Sequence, residues 1–317
     1  MLQELVDTLI YEIMELESGR LADALHFFVY DSVKIFLLLF FMILAVGFLR
    51  TYLPKRKVKD FLTGRRTGVG NILAALFGSI TPFCSCSSIP LFIGFLKTGI
   101  NPGIAFSFLI TSPLVNEYLV VVMLGMFGLK ITALYVLSGI TIGVVAGMIL
   151  GNMNLEKYIE KTARSDDSMK DAKYSNIKER FNFGCMEASG ITKKIWLWIF
   201  AGVGIGALIH GYVPDDAIQK LISAGGIFTV PAAVLIGVPI YANCAAVVPV
   251  AVVLFEKGVP LGTALAFMMS SAALSFPEAV ILRSVMKLKL ILIFFGIVAV
   301  SIIATGYLFN ALQTLIL

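Results

Sequence analysis

Apolar residues gather into eight long runs, four on either side of one long polar stretch. They cover about residues 33–49, 69–95, 103–127 and 131–150, then 195–209, 226–255, 262–285 and 290–312. Each is long enough to enter or cross a bilayer, which takes roughly 20 residues of helix. Residues 154–194, rich in Lys, Glu, Asp and Ser, read as a water-exposed linker that is part helix. The pattern predicts an all-α polytopic membrane protein. Its parts are a first membrane repeat at 1–153 opened by an acidic segment at 1–31, a linker at 154–194 and a second membrane repeat at 195–317.

The runs are not uniform. TPFCSCSSIP at 81–90 cuts the second run with Pro82 and Pro90. TSPLVNE at 111–117 cuts the third, with Pro113. Pro231, Pro239, Asn243 and Pro249 interrupt the sixth, and SSAALSFPE at 270–278 interrupts the seventh, with Pro277. Proline removes a backbone donor and frees a carbonyl. Such a carbonyl is tolerated at membrane depth only inside protein or beside a water-filled cavity. Pro82, Pro90, Pro113, Pro239, Pro249 and Pro277 are therefore the expected hinges or helix breaks.

A shift of 159 positions lays the two halves over each other without a gap. It pairs Gly47 with Gly206, Gly78 with Gly237, Pro90 with Pro249, Gly99 with Gly258, Gly103 with Gly262, Ser112 with Ser271, Lys130 with Lys289 and Gly147 with Gly306. Internal repeats of this kind are common in secondary transporters. Charge gives the orientation. Residues 50–66 carry Arg50, Lys55, Arg56, Lys57, Lys59, Arg65 and Arg66 against Asp60, which predicts a cytoplasmic loop. Lys193 and Lys194 precede the fifth run and Asp215 and Asp216 follow it, so it crosses opposite to the first. The repeats are expected to be inverted, with the second run of each half entering and leaving on one side as a re-entrant segment. Eight simple spans with parallel halves is the competing arrangement.

Composition narrows the function. The chain of 317 residues is 58% hydrophobic and 14% charged, against about 25% charged in soluble domains. Its net charge of +5 sits in a few basic segments, a topology signal rather than a nucleic-acid footprint. The first thirty residues are acidic, so no cleavable signal peptide is expected. The expected location is the inner, cytoplasmic membrane, with the lipid bilayer and a small-molecule or metalloid substrate as partners. No nucleic acid is expected, and a homo-oligomer is compatible. Phosphate-binding loops of either common type are absent from the sequence. No ATP hydrolysis, no cofactor and no enzymatic activity are therefore expected.

The candidate chemistry sits in the breaks. Cys84 and Cys86, with Ser85 and Ser87 between and beside them, put thiols and hydroxyls in the first break; the 159 shift sets Asn243 opposite Cys84 and Cys244 opposite Ser85. These six form the expected substrate site, with Cys84 and Cys86 as metalloid ligands, because thiols suit a soft ion or a thiophilic metalloid. Small Cys and Ser residues also ease helix packing in membranes. Without His nearby, and with Cys-x-Cys in place of Cys-x-x-Cys, the donor set argues against structural zinc. Asn116, Glu117 and Glu278 form a second expected polar group at the midplane. A carboxylate desolvated there favours its protonated form and suits proton coupling.

These segments resemble a known family. Residues 81–91, TPFCSCSSIPL, resemble the signature of the predicted-permease family that includes the ArsP-type and YraQ-type proteins. TSPLVNE at 111–117 and SFPE at 275–278 look like the same family, and the resemblance covers nearly the whole chain. It implies export of a thiophilic solute such as a trivalent organoarsenical, with Cys84 and Cys86 as thiol ligands and Cys244 as a weaker match. A transporter of another solute (a sulfur compound, an inorganic anion or a metal ion) is the competing expectation. A membrane thiol-disulfide protein using Cys84 and Cys86 is a more distant one, and a structural subunit or receptor leaves the duplication without a use.

Overall fold

The computed structural model describes residues 8, 20–51, 68–80, 85–97, 99–153, 155–160, 176–212, 226–239, 244–256, 258–283 and 285–316. The described chain is almost entirely helical: α1 (Arg20–Arg50), α2 (Val69–Ile80), α3 (Ser85–Lys97), α4 (Pro102–Leu114), α5 (Glu117–Asn152), α6 (Ile177–Tyr212), α7 (Thr229–Gly237), α8 (Cys244–Glu256), α9 (Leu261–Ala273), α10 (Phe276–Leu282) and α11 (Leu288–Ile316). Three stretches among them are long and apolar enough to cross a membrane: Leu119–Asn152, Leu261–Leu282 and Leu288–Gln313. The protein is a multi-pass membrane protein.

The four central runs of the sequence are each split where polar residues and prolines cluster. α2 runs parallel to α4: Asn71 Nδ2 donates to Gly103 O at 3.0 Å, and Gly78 lies against Phe108 and Thr111. α3 runs back the other way. Ser88 Oγ lies 2.7 Å from Ser112 Oγ, and the Phe92 and Phe106 rings are 5.1 Å apart. The two helices thus form an antiparallel hairpin, with the end of α2 and the start of α3 both level with the end of α4. Gly99 (φ 78) closes α3. The Gly99 N–H donates to Leu96 O, and the Ile100 N–H to Phe95 O. This six-to-one closure needs a left-handed residue, which glycine supplies without strain.

α4 stops at Leu114, and the chain resumes helix at Glu117 after Val115 and Asn116. α5 then turns back at Gly128 (φ 76, ψ 175). The reversal is required, because Tyr135 reaches back to Leu114 O at 3.0 Å. A straight helix would carry Tyr135 roughly 27 Å away from Glu117. Residues 129–152 run antiparallel to α4 at very close range, with Gly143 against Thr111, Gly147 against Ser107 and Gly151 against Gly103. Side-chain-free surfaces let membrane helices approach this closely.

Several helix bounds recur at a spacing of 159 residues. α3 and α8 begin and end 159 apart, as do α4 and α9, and α5 and α10 begin 159 apart. Gly237 lies against Phe267 and Ser270, and Gly262 against Gly306 and Asn310. Gly258 (φ 90) closes α8 with the same two backbone bonds, Gly258 N–H to Phe255 O and Val259 N–H to Leu254 O. α4 and α9 form the centre: Gly103 to Leu114 and the whole of α9 are buried.

α1 and α6 pack antiparallel. Arg180 donates to Thr51 O at 2.7 Å, Gly184 lies against Leu44, and Gly204 against Phe28. This pairing extends both helices beyond the apolar runs seen in the sequence. α1 starts at Arg20, within the acidic segment, and α6 at Ile177, within the polar linker. Just after α5, Ile159 pairs with Met286 in an isolated antiparallel bridge. Glu160 N–H donates to Val285 O and Lys287 N–H to Tyr158 O, each at 2.8 Å. The end of α5 and the start of α11 therefore lie at the same end of the molecule.

Candidate substrate site

Four helices start from the breaks: α3, α5, α8 and α10. α3 packs on α10, and α8 packs on the opening of α5, so each hairpin's second arm meets the broken helix of the other half. Phe127 and Phe255, at 6.3 Å, mark the second of these contacts. An α-helix carries partial positive charge at its N-terminus. The starts of α3, α5 and α8 direct that charge at the breaks.

Cys84, Asn243 and Pro82 lie outside the described residues. Ser85, Cys86 and Ser87 form the first turn of α3, and Cys244 opens α8; the side chains of these four also lie outside the description. Pro90 is buried within α3 and does not end it. Its missing N–H leaves the carbonyl of Cys86, four residues earlier, without a helical donor. Pro249 stands within α8 at the equivalent position and does the same for Ala245. Ser88, fully buried beside this turn, anchors α3 to Ser112 near the end of α4.

Pro113 is the penultimate residue of α4, Pro239 follows α7 in a turn, and Pro277 sits in the first turn of α10. Asn116 is buried and caps α5, its Oδ1 accepting from Leu119 N–H at 2.8 Å. Glu117, the next residue, is exposed. Glu278 is 1% exposed on α10. Helix α10 packs against α3, which carries Cys86, and against α6. The structure thus sets the buried carboxylate of the second half on the helix next to the thiol-bearing arm of the first. Among the described residues, no three His, Cys, Asp or Glu side chains gather to hold a metal ion.

Sequence reasoning missed Tyr135. Its buried hydroxyl donates to the Leu114 carbonyl at the break. It also missed Asn71, whose amide reaches Gly103 O and Ser107 Oγ, the latter at 2.9 Å. The signal for both was a hydrogen-bonding side chain within an apolar run, which needs a partner in lipid.

Residues 20–311 match the family model described as a predicted permease, ArsP type. The UPF0718 protein MJ0584 of Methanocaldococcus jannaschii is 21% identical over 337 residues, covering 88% of this chain and 92% of that protein. No solved structure matches the chain. With the family model spanning both sets of broken helices, the chain belongs to the ArsP-type predicted permease family.

Proposed function

We propose that this permease is a secondary transporter with inverted halves, built around two re-entrant hairpins. One observation carries the reading: the hairpins open towards opposite ends of the molecule. Hairpin α2–α3 opens beside the start of α4, which packs on Gly147 and Gly151 at the end of α5. Hairpin α7–α8 leads into α9, whose first residue, Leu261, donates its N–H to Gln313 Oε1, 3.0 Å away. Gln313 lies roughly 37 Å along α11 from Leu288, and the start of α11 is tied to the segment after α5. The antiparallel pairing of α1 with α6, equivalent helices of the two repeats, supports the same two-fold relation in the membrane plane. With α4 and the opening of α5 as one broken span, each half crosses three times, and an odd number inverts the next repeat. The basic loop at 50–66 assigns the end bearing the linker to the cytoplasm.

The cargo in this reading is a thiophilic solute such as a trivalent arsenical, exported across the inner membrane. Cys84 and Cys86 each replace an arsenic hydroxyl: an As–S bond forms, an As–O bond breaks, and the thiol proton leaves with the hydroxyl as water. No electrons change hands. Ser85, Ser87, Asn243 and Cys244 complete the site from the two hairpins. Glu278, buried on the helix beside α3, is the leading proton carrier, and Glu117 its exposed counterpart. The helix starts at the breaks favour a second cargo class, an inorganic anion or oxidised sulfur compound.

The test is uptake into everted vesicles across trivalent arsenicals, antimonite, thiosulfate and divalent metals, with and without a proton gradient. Arsenical uptake lost in the Cys84→Ser/Cys86→Ser double variant, with the chain still folded, is the expected result. Normal uptake by that variant removes the thiols from the site. Glu278→Gln should flatten the gradient dependence while substrate still binds; unchanged dependence in both Glu278→Gln and Glu117→Gln leaves the carboxylates structural.

A further inference from the structure

Two membrane-crossing helices end side by side at the bridge between Ile159 and Met286. α5 finishes at Asn152 and α11 begins at Leu288, so the intervening groups stand at the depth of the lipid headgroups. The strap is firmly held there. Ile159 and Met286 are buried, and their neighbours share the two 2.8 Å backbone bonds.

On this support Tyr158 meets two ammonium groups. Lys157 Nζ lies 5.2 Å from the centre of its ring, and Lys289 Nζ 5.4 Å. A hydrogen bond from Lys289, then the charges of Lys157 and Lys289, hold the phenol below its ordinary ionisation range, against some desolvation. Residues 156–160 and 283–289 bring four cations together with two carboxylates. Of the carboxylates, Glu160 is engaged by Arg283 at 3.8 Å. Glu156 shares the turn with Lys157, and its side chain lies outside the description. Lys157, Lys287 and Lys289 are exposed. Two cations converging on one phenol repel each other, and an anion between them relieves that repulsion.

A second feature starts at the same place. Leu288, Leu292, Gly296 and Val300 recur every four residues along α11 and are all exposed. Residues four apart lie on one helix face. A Cβ at Gly296 would meet nothing within 4 Å, so this face is an open apolar track. A cationic head above an apolar track matches a phospholipid, with the phosphate at the top and an acyl chain along the helix.

We propose that Lys157, Tyr158 and Lys289 bind the phosphate of an anionic phospholipid, whose acyl chain lies along the Leu288–Leu292–Val300 face of α11. The site stands whether or not the chain moves a solute. Basic pockets beside transmembrane helices are a known form of headgroup recognition.

The test uses the purified full chain in neutral detergent, titrated with phosphatidylglycerol or phosphatidylcholine and read by native mass spectrometry and thermal unfolding. Phosphatidylglycerol should be retained in preference to phosphatidylcholine and should raise the unfolding temperature. The Lys157→Gln/Lys289→Gln variant should bind phosphatidylglycerol about thirtyfold more weakly, the effect of removing two interfacial cations. Lys130→Gln, 159 positions before Lys289 but beside the reversal of α5 at Gly128, should bind like the parent. Equal retention of the two lipids, or undiminished binding by the double variant, overturns the proposal. Equal stabilisation by inorganic phosphate alone overturns the lipid assignment in favour of a soluble anion.

Discussion

The helix breaks after α4 and after α9 are built on the same backbone plan and held in different ways. At the first, Asn116 caps α5, and Tyr135 satisfies the carbonyl of Leu114. At the second, Ser275 makes no capping bond, and Phe294 stands 159 positions from Tyr135 without a hydroxyl. The chain there is tied by its backbone instead, Phe276 N–H donating to Val238 O at the end of α7. The return helices differ too. α5 lays Gly143, Gly147 and Gly151 on α4, whereas α11 carries Ile302 and Asn310 opposite the first and last of these. The two breaks therefore share a backbone path while their polar ties differ. One break is fastened by side chains to its own half. The other is fastened to a hairpin arm and carries the buried Glu278.

The largest expected effect tests the close packing that holds the first break. Gly143→Ile gives α5 the residue that α11 has at the equivalent position. A Cβ at Gly143 would overlap Thr111 Oγ1 and stand 3.1 Å from Ser107 O. We expect about 3 kcal/mol of destabilisation or failure to fold, because the obstruction includes backbone that cannot move aside. Gly296→Ala on α11, with open space around it, should be neutral or slightly stabilising through helix propensity. Thermal unfolding of the two variants in detergent decides this. Similar midpoints would mean that α4 and α5 are not packed as closely as described.

The different fastening of the two breaks also bears on what could be read from the sequence. The breaks themselves were legible, because clustered prolines and small polar residues in an apolar run free backbone groups that lipid cannot satisfy. Glycines 159 positions apart were visible in the sequence, and Gly78, Gly237, Gly103 and Gly262 stand where backbones touch. The extents of α1 and α6 were not. Lys178, Glu179 and Arg180 read as linker, and only the packing of Arg180 on Thr51 and Gly184 on Leu44 shows that the helix already runs there. Nor was the contrast between Glu117 and Glu278 legible. Both follow a polar break in the sequence, yet one is exposed and the other buried, because burial depends on which helix of the opposite half each one meets. For Tyr135 a hydroxyl within an apolar run signals only that a partner is needed, and that the partner is the Leu114 carbonyl follows from the fold.

An intermediate effect is expected at that tyrosine. Tyr135→Phe keeps the ring, which the second half uses at the same place, and removes only the bond to Leu114 O. The carbonyl is then left in a buried, apolar setting at a cost of about 1–2 kcal/mol. Unfolding midpoints that do not change would show that water or another donor serves this carbonyl, and the two breaks would be more alike than their side chains suggest. The reverse change, Phe294→Tyr, adds a hydroxyl to a side chain that is 1% exposed. It should destabilise by a similar amount unless a carbonyl lies within reach, so a stabilising Phe294→Tyr would locate a latent tie in the second half.

The smallest effect discriminates most finely, because it compares the same substitution at equivalent positions. Asn116 (φ −129, ψ 158) and Ser275 (φ −66, ψ 145) both stand one residue before a helix with extended backbone. Both are residue types that cap helices well. Only Asn116 does so, and the reason lies in what each helix start must satisfy. Leu119 N–H turns to Asn116 Oδ1, whereas Phe276 N–H is taken by Val238 O, and Pro277 removes the next donor. Asn116→Ala should therefore cost about 1 kcal/mol, the usual loss for a helix N-cap. Ser275→Ala should stay within about 0.5 kcal/mol, the range of a substitution that removes no interaction. Asn116→Ser supplies an internal check: a hydroxyl also caps, so much of the loss should return. Equal losses for Asn116→Ala and Ser275→Ala would show that Ser275 caps α10 in solution. The two breaks would then be fastened alike, leaving the backbone bond to Val238 as an addition to the cap, not its replacement.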